Sequence, residues 1–302
     1  MNALWQLNQI VRFIWAHPLN RGHRMAALIR FLAWQVRSRL AGGKIVVPWV
    51  DDASVMAGEG DTALTGNLYA GLMEFEDMAF LLHALRSTDL FVDVGANMGA
   101  YTILASKVVR SESLTFEPVP STADRLMDQV HLNRIEENVR LRRMGVGREA
   151  GSLPFTCDSG AMNKVSVSDE REGSIRVPVT TLDLEVPLHQ PVFMKIDVEG
   201  FEFNVLEGAK NVLSSNALIA LIVELNGRGE EFGHTNEEVH QKLLSHDLIP
   251  VGYDPWTRSV TRIASYNRND ANTVYVKDLE LIRERCLTAP ARVIHTAHGI
   301  RL

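Results

Sequence analysis

Cysteine and long apolar runs are both scarce in this chain of 302 residues. The two cysteines, Cys157 and Cys286, lie far apart and match no zinc or redox spacing, so we expect two free thiols in a reducing compartment. No apolar stretch approaches the roughly 18 residues that span a bilayer, because Arg30 and Gln35 interrupt the longest candidate. A secretory signal is not expected, since no short apolar core leads to a small-residue cleavage site. The chain is therefore predicted to be cytoplasmic.

Acidic residues are missing from the first 50 positions, although the whole chain has a net charge of -6. The basic residues of this segment are Arg12, Arg21, Arg24, Arg30, Arg37, Arg39 and Lys44. Apolar residues recur at helical spacing from Leu4 to Ile14, and a second helical pattern runs from Met25 to Leu40. Basic amphipathic helices that carry tryptophan can lie on an anionic membrane surface. The favoured interpretation is instead that these helices cap the main domain and cover part of its cleft, with their arginines solvated.

The Gly-x-Gly-x-x-Gly fingerprint of dinucleotide-binding proteins is not matched after the first predicted buried strand. The run Leu90 to Val94 is short, β-branched and bounded by polar residues, which favours a strand buried on both faces of a parallel sheet. Gly95 and Gly99 follow it and mark a turn that opens a helix. Glycine permits positive φ and lets a ligand approach without meeting a Cβ, while N–H groups at the helix start point toward the ligand. The segment predicts a nucleotide-cofactor site at the carboxyl end of this strand.

An acid at the end of the next predicted strand makes this site more specific. Glu117 stands 24 positions after Asp93, where nucleoside-binding folds place the carboxylate that holds the ribose. Asn97 occupies the place where a nicotinamide fingerprint needs a glycine near the pyrophosphate. Asp93 would repel a diphosphate but attract the amino group of an amino-acid-bearing cofactor. Both features disfavour NAD and fit S-adenosylmethionine; the alternative for Glu117 is an acid at a helix N-terminus.

Several short motifs resemble the FkbM-type methyltransferase family. They are Asp93-Val-Gly-Ala-Asn-Met-Gly99, Phe116-Glu-Pro118, Thr181-Leu-Asp183, and Lys195-Ile-Asp-Val-Glu-Gly200 with the downstream Val205-Leu-x-Gly208. The resemblance covers residues 65 to 278 and leaves the first part of the chain outside. It implies a seven-stranded, S-adenosylmethionine-dependent fold and O-methylation, often of sugars or of natural-product hydroxyls.

The predicted fold class is α/β, with a Rossmann-like, seven-stranded, mostly parallel sheet and helices on both faces. The expected divisions are a basic amphipathic helical segment (1–45), a β-hairpin and lead-in helix (46–89), the methyltransferase domain (90–280) and a C-terminal tail (281–302). A turn is expected at Thr65-Gly-Asn67 and one helix over 201–213. Thr235 with Glu238 predicts a capping box. A closing pair of strands, 249–253 and 273–276, is expected to be partly antiparallel.

Cofactor contacts are assigned to the first two strand ends and to the loop after the third strand. Glu117 is expected to accept from two ribose hydroxyls, because a carboxylate offers two oxygens. Pro118 would border the adenine, and the family resemblance implies that the loop from Met144 to Gly147 covers its other face. The predicted cofactor-binding residues are Asp93, Gly95, Asn97, Gly99, Tyr101, Thr102, Glu117, Pro118, Gly145 and Val146.

Polar residues at later strand ends carry the predicted chemistry, because reactive groups in such sheets collect at the carboxyl ends of the strands. An alcohol must lose its proton as it accepts a methyl group, and Asp197 is the best candidate for the general base. Glu199 and Glu224 are candidates to share that role. Asp197 and Glu224 are also the candidate ligands of a divalent cation, although no local motif requires a metal. The alternative is structural: helix capping for Asp197 and Glu199, and an unspecified role for Glu224.

Loop residues with aromatic, amide or basic groups are expected to line an acceptor pocket suited to a sugar. They are Tyr69, Asn163, Tyr253, Trp256, Arg258 and Asn267. The sequence thus predicts an S-adenosylmethionine-dependent O-methyltransferase that acts on a hydroxyl of a sugar, glycan or glycolipid intermediate. The alternatives are a nicotinamide-dependent oxidoreductase on the same fold and a non-catalytic, membrane-peripheral binding protein. The expected partner is a small-molecule or glycan acceptor, and residues 1–45 are a candidate for peripheral membrane contact; nucleic acid is not expected, and the oligomeric state stays open.

Overall fold

The computed structural model describes residues 3–58, 61–156, 164–166, 174–268, 271–296 and 298–302. Cys157 and Asn163 lie outside these described ranges. The helices are α1 (Ala3–Ala16), α2 (Arg24–Leu40), α3 (Thr62–Ala70), α4 (Phe75–Ala84), α5 (Ala100–Ile103), α6 (Pro120–Asn133), α7 (Leu182–Glu185), α8 (Glu202–Glu207), α9 (Lys210–Ser214), α10 (Asn236–Leu244) and α11 (Leu279–Thr288). The strands are β1 (Ile45–Pro48), β2 (Ser54–Ala57), β3 (Leu90–Val94), β4 (Glu112–Phe116), β5 (Val139–Arg142), β6 (Gly145–Val146), β7 (Gly151–Thr156), β8 (Ser174–Thr180), β9 (Val192–Ile196), β10 (Leu218–Glu224), β11 (Ile249–Asp254), β12 (Ser259–Arg262), β13 (Asn272–Val276), β14 (Val293–Ile294) and β15 (Ile300–Arg301).

Eight strands form the central sheet, in the order β12-β11-β13-β10-β9-β3-β4-β5. Strands β10, β9, β3, β4 and β5 pair in parallel, and β13, β11 and β12 complete one edge with antiparallel pairings. The α/β class, the mostly parallel sheet and the antiparallel closing pair are therefore confirmed. The sheet has one strand more than the seven expected, because β12 turns back after β11 and pairs along its open edge.

The central strands β3 and β9 are buried along their whole length. Phe91 and Phe193 belong to the core on one face of the sheet, whereas Val92 and Met194 belong to the core on the other. This alternation follows from the two-residue period of a strand, and apolar residues on both sides are typical of a parallel sheet covered by helices. The charged residues within these two strands, Asp93 and Lys195, each lie one position before the last residue of the strand.

Both ends of the described chain pack on the face that carries Phe193. Ile14 of α1 and Phe31 of α2 lie in the same apolar cluster, which confirms both predicted N-terminal helices. Cys286 of α11 also lies in this cluster. Residues 281–302 are therefore more than a tail, because they contribute a helix and the β14-β15 hairpin to the body that holds the sheet.

Helix α3 occupies the segment in which the residue types indicate a turn, so the turn predicted at Thr65-Gly-Asn67 is wrong. A Cβ on Gly66 would lie only 2.3 Å from Sδ of Met73, so glycine allows the helix to pack closely on the chain that follows it. The side-chain oxygen of Asn67 accepts a hydrogen bond from the backbone N–H of Met73 at 2.8 Å. Residues that commonly mark a turn serve here as tertiary contacts of a helix.

Two helix predictions on the other face of the sheet have different outcomes. The capping box is confirmed, since the Thr235 side chain accepts from the Glu238 N–H while the Glu238 carboxylate accepts from the Thr235 N–H. The single helix predicted over 201–213 is instead divided into α8 and α9. A Cβ on Gly208, between them, would lie 2.1 Å from the carbonyl oxygen of Gly147, so the close approach of that loop fixes the break.

We expect Arg285→Met to lower the free energy of unfolding by about 3 kcal/mol, because it leaves a buried carboxylate without its cation. Arg285 on α11 donates to Asp89, just before β3, at 2.5 and 3.3 Å, and the Asp89 side chain is fully buried. The matched control is Arg283→Met on the same helix, where the partner Glu280 is exposed. Urea unfolding measures both variants, and equal losses would contradict a special role for the buried pair.

Candidate active site

The turn after β3 is shaped by the approach of the β9 strand end. Gly95 has φ of +81°, and a Cβ on it would lie 1.8 Å from the carbonyl oxygen of Asp197. The N–H groups of Gly95 and Ala96 both donate to the carbonyl of Phe116, at 3.1 and 3.0 Å. Gly99 has φ of +82° and begins α5. The glycines therefore allow the turn to pack closely between β4 and β9. The base of the site consequently consists of backbone atoms and not of side chains.

Glu117 lies directly after β4 and faces this turn. Its Oε2 accepts from the N–H of Asn97 at 3.0 Å, and its Oε1 accepts from the N–H of Val119 at 2.9 Å. The residue is only 6% exposed, and burial raises its pKa to about 7. Each carboxyl oxygen retains lone-pair capacity beyond these single bonds, so the group is placed and oriented to accept from a diol.

A cleft runs along the carboxyl edge between the β3 turn, Glu117 and the β9 end. Its lining consists of Val94, Gly95, Asn97, Phe116, Glu117, Pro118, Thr122, Met144, Gly145, Val146, Phe155, Val165, Asp197, Val198, Glu199 and Phe201. The structure thus brings together most of the predicted cofactor residues with two of the predicted catalytic ones. Apolar members such as Phe155 and Phe201 escaped the sequence analysis, because β7 carries no motif and Phe201 lies one position beyond the Lys195–Gly200 string.

Four predicted cofactor residues, Asp93, Gly99, Tyr101 and Thr102, do not line the cleft. Asp93 is 2% exposed and accepts a hydrogen bond from Oγ1 of Thr102 at 2.7 Å. Burial raises the pKa of Asp93 to about 6, against the opposing effects of Lys195 and Thr102. Tyr101 is also buried. These side chains support the turn from below, whereas Gly99 packs against Leu126 of α6.

A buried ammonium group, that of Lys195, stands at the centre of the catalytic residues. Its Nζ donates to Oδ2 of Asp197 at 2.5 Å and lies 4.6 Å from the ring centroid of Tyr101. Tyr101 in turn donates its hydroxyl to Glu74 at 2.5 Å. Burial alone would lower the pKa of Lys195, but the charges of Asp197, Glu74 and Asp93 outweigh it and raise that pKa. A charged residue inside an apolar strand indicates either a side chain that snorkels to the sheet end or a pair with a carboxylate, and the structure shows the pair with Asp197.

Glu224 ends β10 and lies in the same carboxylate group. Burial, with the charges of Asp197 and Glu202, raises the pKa of Glu224 to about 9, although Lys195 opposes the shift. Its Oε2 is buried and has no hydrogen-bond partner among the described residues. The upward shift of the pKa favours the neutral acid form of Glu224, in contrast to the ion-paired Asp197.

Glu199 and Glu202 hold the loop that follows β9. Glu199 has φ of +56° and forms an ion pair with Arg228. Glu202 is 4% exposed and accepts from the N–H groups of Val198 and Gly200, at 3.1 and 3.0 Å. Burial raises the pKa of Glu202 to about 7. Glu202 was not predicted from the sequence, because its contact depends on the bend of the loop at Gly200.

The carboxylates do not assemble a metal site in the part of the chain that the structure describes. No group of three or more His, Cys, Asp or Glu side chains there is arranged to hold a metal ion. Asp197 instead pairs with Lys195, and Glu199 pairs with Arg228. The divalent cation suggested for Asp197 and Glu224 is therefore not supported.

The residues suggested for an acceptor pocket lie in separate places. Tyr69 lines a cavity of about 590 Å³ between α1, α2 and α3, whereas Asn267 lines another beside Asn226 and Tyr266. Tyr253 is buried and forms a hydrogen bond with His83. Of the others, Trp256 contacts Phe75 and Arg258 donates to the Ala289 carbonyl. One shared pocket is therefore wrong for these described residues.

Comparison with known proteins identifies what the chain is similar to. A family model for the methyltransferase FkbM domain matches residues 93–249. The hexuronic acid methyltransferase AglP of Haloferax volcanii is 32% identical over 189 residues, which cover 60% of this chain and 74% of that protein. Methyltransferase sdnD of Sordaria araneosa is 27% identical over 169 residues, which cover 44% of this chain and 65% of that protein. Among solved structures, a precorrin-6y C5,15-methyltransferase of Geobacter metallireducens aligns with a TM-score of 0.38 and 12% identity, over 68% of this chain and 87% of that one.

We expect Glu224→Gln to flatten the pH dependence of stability. The pKa of glutamate is 4.5 in the unfolded chain, and the pKa of Glu224 in the folded protein is raised to about 9. Between these two pH values the folded state binds more protons than the unfolded state, so the protein loses stability as pH rises. The wild-type chain should lose about 1 kcal/mol per pH unit in this window relative to the variant, which cannot titrate. Urea unfolding at several pH values gives the slopes. Glu280→Gln, at an exposed position of α11, is the control, and parallel slopes for Glu224→Gln and the wild type would contradict a protonated Glu224.

Proposed function

Because the chain belongs to the FkbM methyltransferase family, we propose that it transfers a methyl group from S-adenosylmethionine to a hydroxyl of a sugar or glycan. The family match contains the β3 turn, Glu117 and the β9 end, which are the parts that form the cleft. The sugar acceptor is supported by the hexuronic acid methyltransferase, with 32% identity. The nicotinamide-dependent oxidoreductase is set aside, since the family carries out methyl transfer.

The cleft fits the proposed cofactor at both ends. Gly95 lets the turn lie directly against the Asp197 carbonyl, with no side chain of its own in the cleft, and Asn97 presents its N–H toward Glu117. The carboxyl of Glu117 would hold the ribose hydroxyls, and the rings of Phe155 and Phe201 offer apolar surface for a base. The proposal depends most on the position of Glu117. Its carboxyl group is buried beside the turn that contains Gly95 and Gly99, and two backbone N–H groups orient it.

Bound S-adenosylmethionine supplies an electrophilic methyl group, so the chain itself must position the acceptor and take its proton. We assign the proton to a carboxylate oxygen of Asp197, which lines the cleft while its Oδ2 is held by Lys195. The raised pKa of Glu224 favours its neutral form, which adds no second negative charge beside Asp197. Glu199, ion-paired with Arg228, positions the loop and is less suited to the role of base.

Calorimetry with S-adenosylhomocysteine tests the cofactor assignment. We expect micromolar binding by the wild-type chain and at least tenfold weaker binding by Glu117→Ala, because one buried charge-assisted contact to the ribose is lost. The matched control is Glu112→Ala at the opposite end of β4, where the side chain is 55% exposed and pairs with Arg140. Binding of NADH without binding of S-adenosylhomocysteine by well-folded protein would overturn the proposal.

Asp197→Asn tests the base. We expect this variant to keep its affinity for S-adenosylhomocysteine within about threefold and to lose at least 100-fold in kcat, as removal of a general base does. Product release is followed with oligosaccharides that contain hexuronic acid. Asp254→Asn, at the exposed end of β11, is the control and should keep full turnover. Wild-type turnover by Asp197→Asn would transfer the role of base to another residue.

A further inference from the structure

Helix α2 has two opposite apolar faces, and one of them is left exposed by the residues that the structure describes. Ala27, Phe31 and Trp34 are buried in the core that covers the sheet. The opposite face carries Met25, Ile29, Leu32, Val36 and Leu40, which are 57% to 81% exposed. Their spacing of three and four residues places them in one row along the helix, which we call the α2 stripe.

Exposed basic residues border this row. On a helix of 3.6 residues per turn, Arg37 and Arg39 fall on either side of the α2 stripe, and both are exposed. Helix α1 adds Trp5 and Trp15, which are 52% and 43% exposed, and the guanidinium of Arg24 lies 5.2 Å from the Trp15 ring. No acidic residue occurs in the first 50 positions, so the charged side chains of this segment that surround the α2 stripe are all basic.

Charge complementarity selects the occupant of this surface. A second copy of the chain, docked through the same face, would bring the arginines of both copies together without an acid of this segment to pair them. A lipid surface that contains anionic headgroups instead accepts apolar side chains at the acyl boundary and arginines at the phosphates. None of the described helices has the length and apolar character to cross a bilayer, so such a contact would lie in the plane of the surface.

We propose that the α2 stripe and its bordering arginines dock this protein on an anionic lipid bilayer. The contact is peripheral: the apolar row enters the headgroup boundary while Arg37 and Arg39 remain at the level of the phosphates. This proposal does not rest on the methyl-transfer assignment, because the α2 stripe and the cofactor cleft share no lining residue.

Vesicle sedimentation of the intact chain tests the proposal. We expect partitioning at least tenfold stronger to phosphatidylcholine vesicles with about one quarter phosphatidylglycerol than to phosphatidylcholine alone, and weaker binding at about 0.5 M NaCl. Ile29→Glu and Val36→Glu should each reduce partitioning at least tenfold, because each places a carboxylate in the apolar row. Leu184→Glu is the matched control: Leu184 is 71% exposed on α7, on the other side of the sheet, and its variant should bind like the wild type.

Three further measurements make the result decisive. Thermal unfolding and S-adenosylhomocysteine affinity should be unchanged in Ile29→Glu, so a loss of lipid binding cannot come from misfolding or from a damaged cleft. Failure of the folded chain to sediment with anionic vesicles would overturn the proposal, as would an equal loss in Leu184→Glu. Self-association that Ile29→Glu abolishes, without any lipid binding, would identify a second copy as the occupant and overturn the proposal as well.

Discussion

The buried ammonium of Lys195 is the interaction on which the carboxyl edge of the sheet depends. It lies on β9, directly beside Asp93 of β3, and pairs with Asp197, the residue that follows the end of β9. Without this cation, the buried Asp93 would face the carboxylate of Asp197 with no described cation between them, which is costly in a low-dielectric interior. Their negative charge, with that of Glu74, in turn keeps the lysine protonated.

The same edge couples the predicted cofactor turn to the proposed base. Gly95 contacts the carbonyl of Asp197 so closely that no side chain fits between them. The backbone of Asp197 is thus held against the turn, while its carboxylate is held by Lys195. Glu202 adds the third support, because it holds the loop after β9 by two N–H groups. The result is a rigid arrangement of the kind that positioning catalysis requires.

Local signals in the sequence were sufficient to predict several elements near the carboxyl edge of the sheet. The apolar run before Gly95, the acid at Glu117 and the capping box at Thr235 each depend on near neighbours, so their identity could be predicted directly. A turn was predicted where α3 forms, because glycine and asparagine commonly mark turns. Gly66 instead allows the helix to pack closely against the side chain of Met73, and composition does not reveal such a contact. The eighth strand was missed for a similar reason, since an edge pairing of β12 is favoured only once β11 is in place.

The sequence by itself determined the fold class, the family motifs and the set of acids from which the site is built. It could not rank those acids, because their sequence positions do not reveal burial or charge neighbours. Tertiary structure decided that Lys195 pairs with Asp197 and that Glu224 stays protonated, since both outcomes depend on charges from separate strands within a few ångströms. It also decided that one face of α2 remains open, because periodicity shows that a helix has apolar faces but only packing shows which of them is covered.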